Sequence, residues 1–208
     1  IRDVDRSRGS EMCIRDSQPV DHNTAWQIIK QTQHFSVNGS GNNFESGMKV
    51  GEKMAKEMGL DKSVHFYMAQ KASLPQYYSA TNDVLRNAID MVTQRSTNEN
   101  VNINVQTHSW SGYVMSTQCN NRCGKINHIS YAPATAPNLW LKLRNAYRDW
   151  KGTAVIIRGS KDILSQGTYE KTAYGINQNS KVNSEQVNSP HGIRDILSTS
   201  TFRYKWKY

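Results

Sequence analysis

Three residues of this chain carry side chains that nucleophilic chemistry combines, and each stands just past a stretch that reads as a strand: Ser109, Asp162 and His191. Val101, Ile103 and Val105 alternate with polar residues, the period of a strand. The run then enters Thr107-His108-Ser109-Trp110-Ser111-Gly112, after which Tyr113, Val114, Met115 and Cys119 resume at helical spacing. A serine is therefore expected at the apex of a strand–turn–helix. Asp162 follows the continuous apolar run Ala154-Val155-Ile156-Ile157 by way of Arg158-Gly159-Ser160-Lys161. His191 follows a weaker strand around Lys181 to Val187, in the loop Asn188-Ser189-Pro190-His191-Gly192. A serine hydroxyl is a poor nucleophile unaided; an imidazole can take its proton, and a carboxylate can hold that imidazole in one tautomer.

The turn around Ser109 resembles the nucleophile elbow of the α/β-hydrolases, usually written Gly-x-Ser-x-Gly. That pattern has a steric origin, since strand and helix approach closely only if the residues two before and two after the serine are small. Thr107 and Ser111 stand at those places here, small but not glycine. Gly159-Ser160-Lys161-Asp162 is similar to the Gly-x-x-Asp that follows the penultimate strand of the same superfamily, and the order Ser109, Asp162, His191 is its Ser, acid, His order.

The resemblance implies a nucleophile at Ser109, a general base and acid at His191, and an orienting carboxylate at Asp162, with Asp195 and Glu185 as fallback acids. It also implies an oxyanion hole built from the backbone N–H groups of Trp110, just after the nucleophile, and Ser40, in the glycine-rich loop Asn38-Gly39-Ser40-Gly41. The implied reaction is hydrolysis of a carboxylic ester through an acyl-enzyme, which uses neither cofactor nor metal. A thioesterase, amidase or acyltransferase would use the same triad, and a binding protein on the same scaffold would use none of it. His108 is expected to pack under the turn, and His65 and His128 to be structural. Trp110, Tyr77, Tyr78 and Trp140 are candidates for an acyl pocket, against the plainer reading of core aromatics.

Positioning such residues takes a scaffold, and the chain reads as one. His34 to Val37 is a short strand; a helix follows with Phe44, Met48, Gly51, Ala55 and Met58 on one face, closed by Gly59. Val64, Phe66 and Met68 alternate as the next strand. Tyr78, Val84, Leu85, Ala88, Ile89 and Val92 mark a further helix, Ile126 to Tyr131 another strand, and Leu139, Leu143, Ala146, Tyr147 and Trp150 another helix stripe. A terminal helix runs from Ile193 to Leu197. Strands alternating with helices predict an α/β fold with a mostly parallel central sheet of about six strands and helices on both faces. No segment between the helix after the Ile126 to Tyr131 strand and the Asp162 strand is long enough for a cap domain, so an open site is expected.

The whole is bounded by 208 residues, 37% hydrophobic and 21% charged, enough for one substantial core and most simply one domain over residues 18–208. Residues 1–17 are set apart: Glu11-Met12-Cys13-Ile14-Arg15-Asp16-Ser17 looks like a translated sequencing adapter, and the leader is expected to be non-native. No apolar run approaches the roughly 20 residues of a membrane span. The net charge of +9 comes from scattered lysines and arginines, which points to a solubility role and not to a nucleic-acid partner. The expected partner is an ester, as a small molecule or a polymer. Cys119 and Cys123, four apart at the end of the helix after Ser109, suit either a local disulfide or two ordinary thiols.

Overall fold

The structure, a computed structural model, describes residues 11–15, 33–39, 44–59, 63–67, 89–119, 123–133, 139–162 and 179–199, with Gln27, Lys30 and Arg86 singly. Its strands are β1 (Glu11–Arg15), β2 (His34–Val37), β3 (Ser63–Tyr67), β4 (Ile103–His108), β5 (Ile126–Tyr131), β6 (Thr153–Gly159) and β7 (Val182–Val187). They form one sheet in the order β1-β3-β2-β4-β5-β6-β7, every neighbouring pair parallel. Six of the seven lie within residues 18–208, as expected. The seventh comes from the segment that the sequence reading set apart: β1 pairs along β3 from Glu11 opposite Ser63 to Arg15 opposite Tyr67 and forms one edge.

Parallel neighbours need long crossovers, and helices occupy them. The helices are α1 (Phe44–Glu57), α2 (residues 89–98), α3 (Trp110–Cys119), α4 (Trp140–Arg148) and α5 (Ile193–Thr199). From β2 the chain moves outward to β3, then returns past β2 to β4 and continues the other way to β7. The direction of winding thus reverses between β2 and β4. At such a reversal the loops after adjacent strands diverge and leave a crevice at their carboxyl ends. Ser109 follows β4 at that point.

Two apolar cores sandwich the sheet. On one face Phe35, Ile103, Val105, Ile126 and Ile156 pack with Ile89 and Val92 of α2, Met115 of α3 and Leu143 and Tyr147 of α4. On the other, Ile129, Val155 and Ile157 pack with Val50 and Met54 of α1 and with Ile196 of α5. Fully burying one such side chain is worth about 1.5–3 kcal/mol. The stripe of α1 is rotated from the expected one: Val50, Gly51, Met54 and Ala55 are buried, whereas Met48 and Met58 are half-buried. Strand β4 departs from its alternating pattern in a similar way, being buried on both faces. Its polar residues meet partners instead of water: Gln106 donates through Nε2 to the Met54 carbonyl at 3.1 Å, and Asn104 accepts from Asn127 at 2.8 Å. A disulfide joins Cys119 to Cys123, closing the end of α3.

Candidate active site

Ser109 sits between β4 and α3 with φ of 59°, a left-handed conformation that costs a non-glycine residue energy and persists only where its surroundings enforce it. The enforcing contacts are on both sides of the turn. The Ser109 N–H donates to the Tyr131 carbonyl at the end of β5, 2.9 Å away, and the Gly112 N–H donates back to the Ser109 carbonyl at 3.0 Å. The Ser111 hydroxyl accepts the His108 N–H at 3.1 Å and lies within donating distance of two carbonyls, His108 at 2.9 Å and Val37 at 3.2 Å.

The two positions where the elbow pattern has glycine are occupied without obstruction. Thr107 turns into the core, fully buried, with Oγ1 2.7 Å from His128 Nε2. The close approach of helix to sheet falls instead at Gly112, where a Cβ would stand 2.4 Å from Ser130 Oγ and 3.2 Å from Pro133 Cβ.

Asp162 and His191 arrive from the next loops along the sheet. The chain leaving β6 is tied to the end of β7 and the loop after it by Ser160 N–H to the Val187 carbonyl at 2.7 Å and Lys161 N–H to the Ser189 carbonyl at 3.1 Å. These bonds bring the acid and the imidazole to one place: Asp162 Oδ2 is 2.7 Å from His191 Nδ1, and His191 Nε2 is 2.8 Å from Ser109 Oγ. The Asp162 side chain is wholly buried, whereas that of His191 keeps 20% of its surface. A buried carboxylate against Nδ1 places the proton there and leaves Nε2 as the acceptor facing the serine hydroxyl. The two fallback acids stand elsewhere, Glu185 half-buried within β7 and Asp195 exposed on α5.

Trp110 is the first residue of α3, so its N–H belongs to the turn whose N–H groups have no intrahelical acceptor and where the helix dipole is positive. Its indole is half-buried against Tyr113, ring centroids 4.8 Å apart. Ser40, the other expected oxyanion donor, lies outside the described residues, as do Tyr77 and Tyr78. The chain leading to Ser40 does reach the site: a Cβ on Gly39 would stand 2.9 Å from Ser109 Cβ and 2.8 Å from His108 Nδ1. Only glycine lets the end of β2 lie this close to the serine.

The remaining histidines divide as expected between packing and structure. His65 shares a hydrogen bond with Ser36 at 2.7 Å across β2 and β3, and His128 does so with Thr107 across β4 and β5. Burial pushes them down to about 4 and about 3. His108 is buried beside Ser109, its pKa lowered to about 4 mainly by burial, and its Nε2 is 2.9 Å from the His191 carbonyl. That last contact spans 83 residues, and nothing local in the sequence announces it. A cavity lined by Thr93, Asn100, Cys123 and Lys125 opens near the start of β5, at the opposite end of the strands from Ser109. No helix among the described residues is long and apolar enough to cross a membrane.

No protein-family model matches the sequence, and no curated protein does. Solved structures do. A dienelactone hydrolase-like protein of Klebsiella pneumoniae superposes with a TM-score of 0.54 at 10% identity, over 77% of this chain and 76% of that one. The esterase domain of a Rhodothermus marinus protein gives 0.53 at 10% identity, over 81% and 83%. A Pyrococcus furiosus esterase gives 0.51 at 14% identity, over 77% and 74%. Identities this low speak to architecture alone. Together with the parallel sheet, its winding and the strand–turn–helix at Ser109, they establish that this chain has the α/β-hydrolase fold.

Proposed function

We propose that the chain is a serine hydrolase that cleaves carboxylic esters through an acyl-enzyme. The observation that carries this reading is the continuous pair of hydrogen bonds from His191 Nδ1–H to Asp162 Oδ2 and from the Ser109 hydroxyl to His191 Nε2, with the serine on a left-handed turn. Ser109 Oγ attacks the ester carbonyl as His191 Nε2 takes its proton. The tetrahedral intermediate bears its negative charge on the former carbonyl oxygen. The Trp110 N–H at the start of α3, and the Ser40 N–H in the loop that Gly39 opens, are the donors assigned to that oxygen; one such donor is worth about 10²–10³ in rate. Collapse expels the alcohol, which receives the proton from His191. Water then attacks the acyl-enzyme as His191 Nε2 takes its proton, and collapse releases the carboxylic acid and returns that proton to Ser109 Oγ; Asp162 keeps the imidazole oriented and stabilises its charged form throughout.

The substrate is an ester with a short acyl chain or an accessible ester bond of a polymer, which suits the open site that the short segment between α4 and β6 implies. Intact mass after incubation with a fluorophosphonate tests the reading, with wild type and Ser109→Ala in parallel. A single adduct on wild type and none on the variant is the expected result, followed by turnover of chromogenic esters that falls as the acyl chain lengthens. No adduct on either protein would overturn the triad and leave a binding role on the same scaffold.

A further inference from the structure

We infer that His108 is a positioning residue: by donating its Nε2–H to the backbone carbonyl of His191, it clamps the loop that carries the general base onto the strand that carries the nucleophile. The inference rests on the triad reading above and concerns a residue outside that triad.

The direction of the bond follows from the acceptor. A carbonyl oxygen only accepts, so the proton of the 2.9 Å contact must reside on His108 Nε2. The ring is buried and its pKa is lowered to about 4, so above that pH it carries a single proton and Nδ1 is left with a lone pair. Among the described residues Nδ1 has no hydrogen-bond partner, which leaves the His191 carbonyl as the contact that selects the tautomer.

The need for a clamp follows from the geometry of the base. His191 must satisfy two bonds at once, 2.7 Å to Asp162 and 2.8 Å to Ser109, and the two rings sit with centroids 5.0 Å apart. The backbone bonds from β6 to this loop reach Val187 and Ser189, short of residue 191 itself. His108 supplies the next tie, and it starts from the residue immediately before the nucleophile. An error in the Ser109–His191 distance is therefore suppressed at its source. Misplacement by about 1 Å from a change outside the chemistry can cost about a hundredfold in rate.

Two amides separate this role from simple packing. In His108→Gln the amide nitrogen falls near the position of Nε2 and can still donate to the carbonyl; in His108→Asn it falls near Nδ1 and cannot reach. The second-order rate constant for fluorophosphonate labelling of Ser109, and kcat and KM on a short-chain ester, are measured for wild type and both variants after thermal unfolding has shown each to be folded. His108→Gln is expected within threefold of wild type, and His108→Asn slower by at least tenfold, in kcat and not in KM. Equal rates in His108→Asn and wild type, or equal losses in the two variants, would overturn the inference. Should only His108→Gln fold, a fast enzyme supports the clamp and a slow one overturns it. Failure of wild type to label would count against the triad reading instead. The low-field Nδ1 proton of His191 then decides the clamp without turnover: sharp in wild type and His108→Gln but broadened in His108→Asn supports it, and unchanged in His108→Asn overturns it.

Discussion

Thr107 Oγ1 and His128 Nε2 share a hydrogen bond of 2.7 Å across β4 and β5, both residues buried beneath the turn at Ser109. The side chain two places before the serine thus points into the core and leaves the turn unobstructed. Its role is to satisfy a buried ring whose other nitrogen has no partner among the described residues. Replacing Thr107 by Val keeps the shape and removes the hydroxyl, leaving Nε2 unpaired. A stability loss of roughly 1–3 kcal/mol is expected from denaturant unfolding, with fluorophosphonate labelling of Ser109 within threefold of wild type. A tenfold loss of labelling would assign Thr107 to the reacting groups.

The triad residues should differ in what their removal costs. Ser109→Ala and His191→Ala are each expected to lower kcat/KM on a chromogenic ester by roughly 10⁴ or more, and Asp162→Asn by somewhat less, with folds intact by circular dichroism. Combining Ser109→Ala with His191→Ala should add almost nothing to either, because the groups act as a unit. Full activity in Ser109→Ala would end the mechanism; full activity in Asp162→Asn would move only the acid.

Gly39 offers a test that touches no reacting atom. An added Cβ would meet Ser109 Cβ at 2.9 Å, His108 Nδ1 at 2.8 Å and the His108 carbonyl at 3.1 Å. Gly39→Ala is therefore expected to displace the end of β2 from Ser109 and, on the proposed mechanism, to slow ester turnover at least a hundredfold. Gly124→Ala is the control: its Cβ would find only Lys151 Cβ at 4.0 Å, and its rate should be that of wild type.

Acid should destabilise the fold through its buried histidines. His65 and His108 are lowered to about 4 and His128 to about 3, each chiefly by burial, from an ordinary value of 6.5. The folded state therefore holds them neutral while the unfolded chain protonates them below about pH 6.5. Stability from this source is complete above that pH and is lost as pH falls toward 4, at roughly 1.4 kcal/mol per pH unit for each histidine. Thermal unfolding between pH 7 and 4.5 should show a falling Tm. His128→Gln, which cannot titrate, should shrink the slope by about one histidine's share; an unaltered slope would remove His128 from the account.

Strand β1 borders only β3, at the edge furthest from β7. Deleting residues 1–17 removes that strand and is expected to leave Ser109 labelling unchanged, since β1 lies at the sheet edge away from β4. Loss of labelling together with loss of cooperative unfolding would make the leader part of the domain.

Periodicity is a local property, and what depended on it was legible in the sequence. The alternation of Val101, Ile103 and Val105 followed by helical spacing from Tyr113 placed a turn at Ser109, and the apolar run from Ala154 to Ile157 marked a strand covered on both faces. The order of Ser109, Asp162 and His191, each past a strand, followed from the same reading, because parallel strands put their carboxyl-end loops on one side of the sheet. Distances across the sheet are set by strand order and register, which no local pattern encodes. Only the tertiary structure decided that β4 lies between β2 and β5, and hence that Thr107 meets His128, that Gln106 is buried against α1, and that Gly39 touches Ser109. The missing glycine illustrates the division: sequence spacing asks for small residues at 107 and 111, but the close approach of α3 to the sheet falls at Gly112, one residue past Ser111. The bond from His108 to the carbonyl of His191 is of the same kind, since it exists only once the β4 and β7 loops have been folded onto each other.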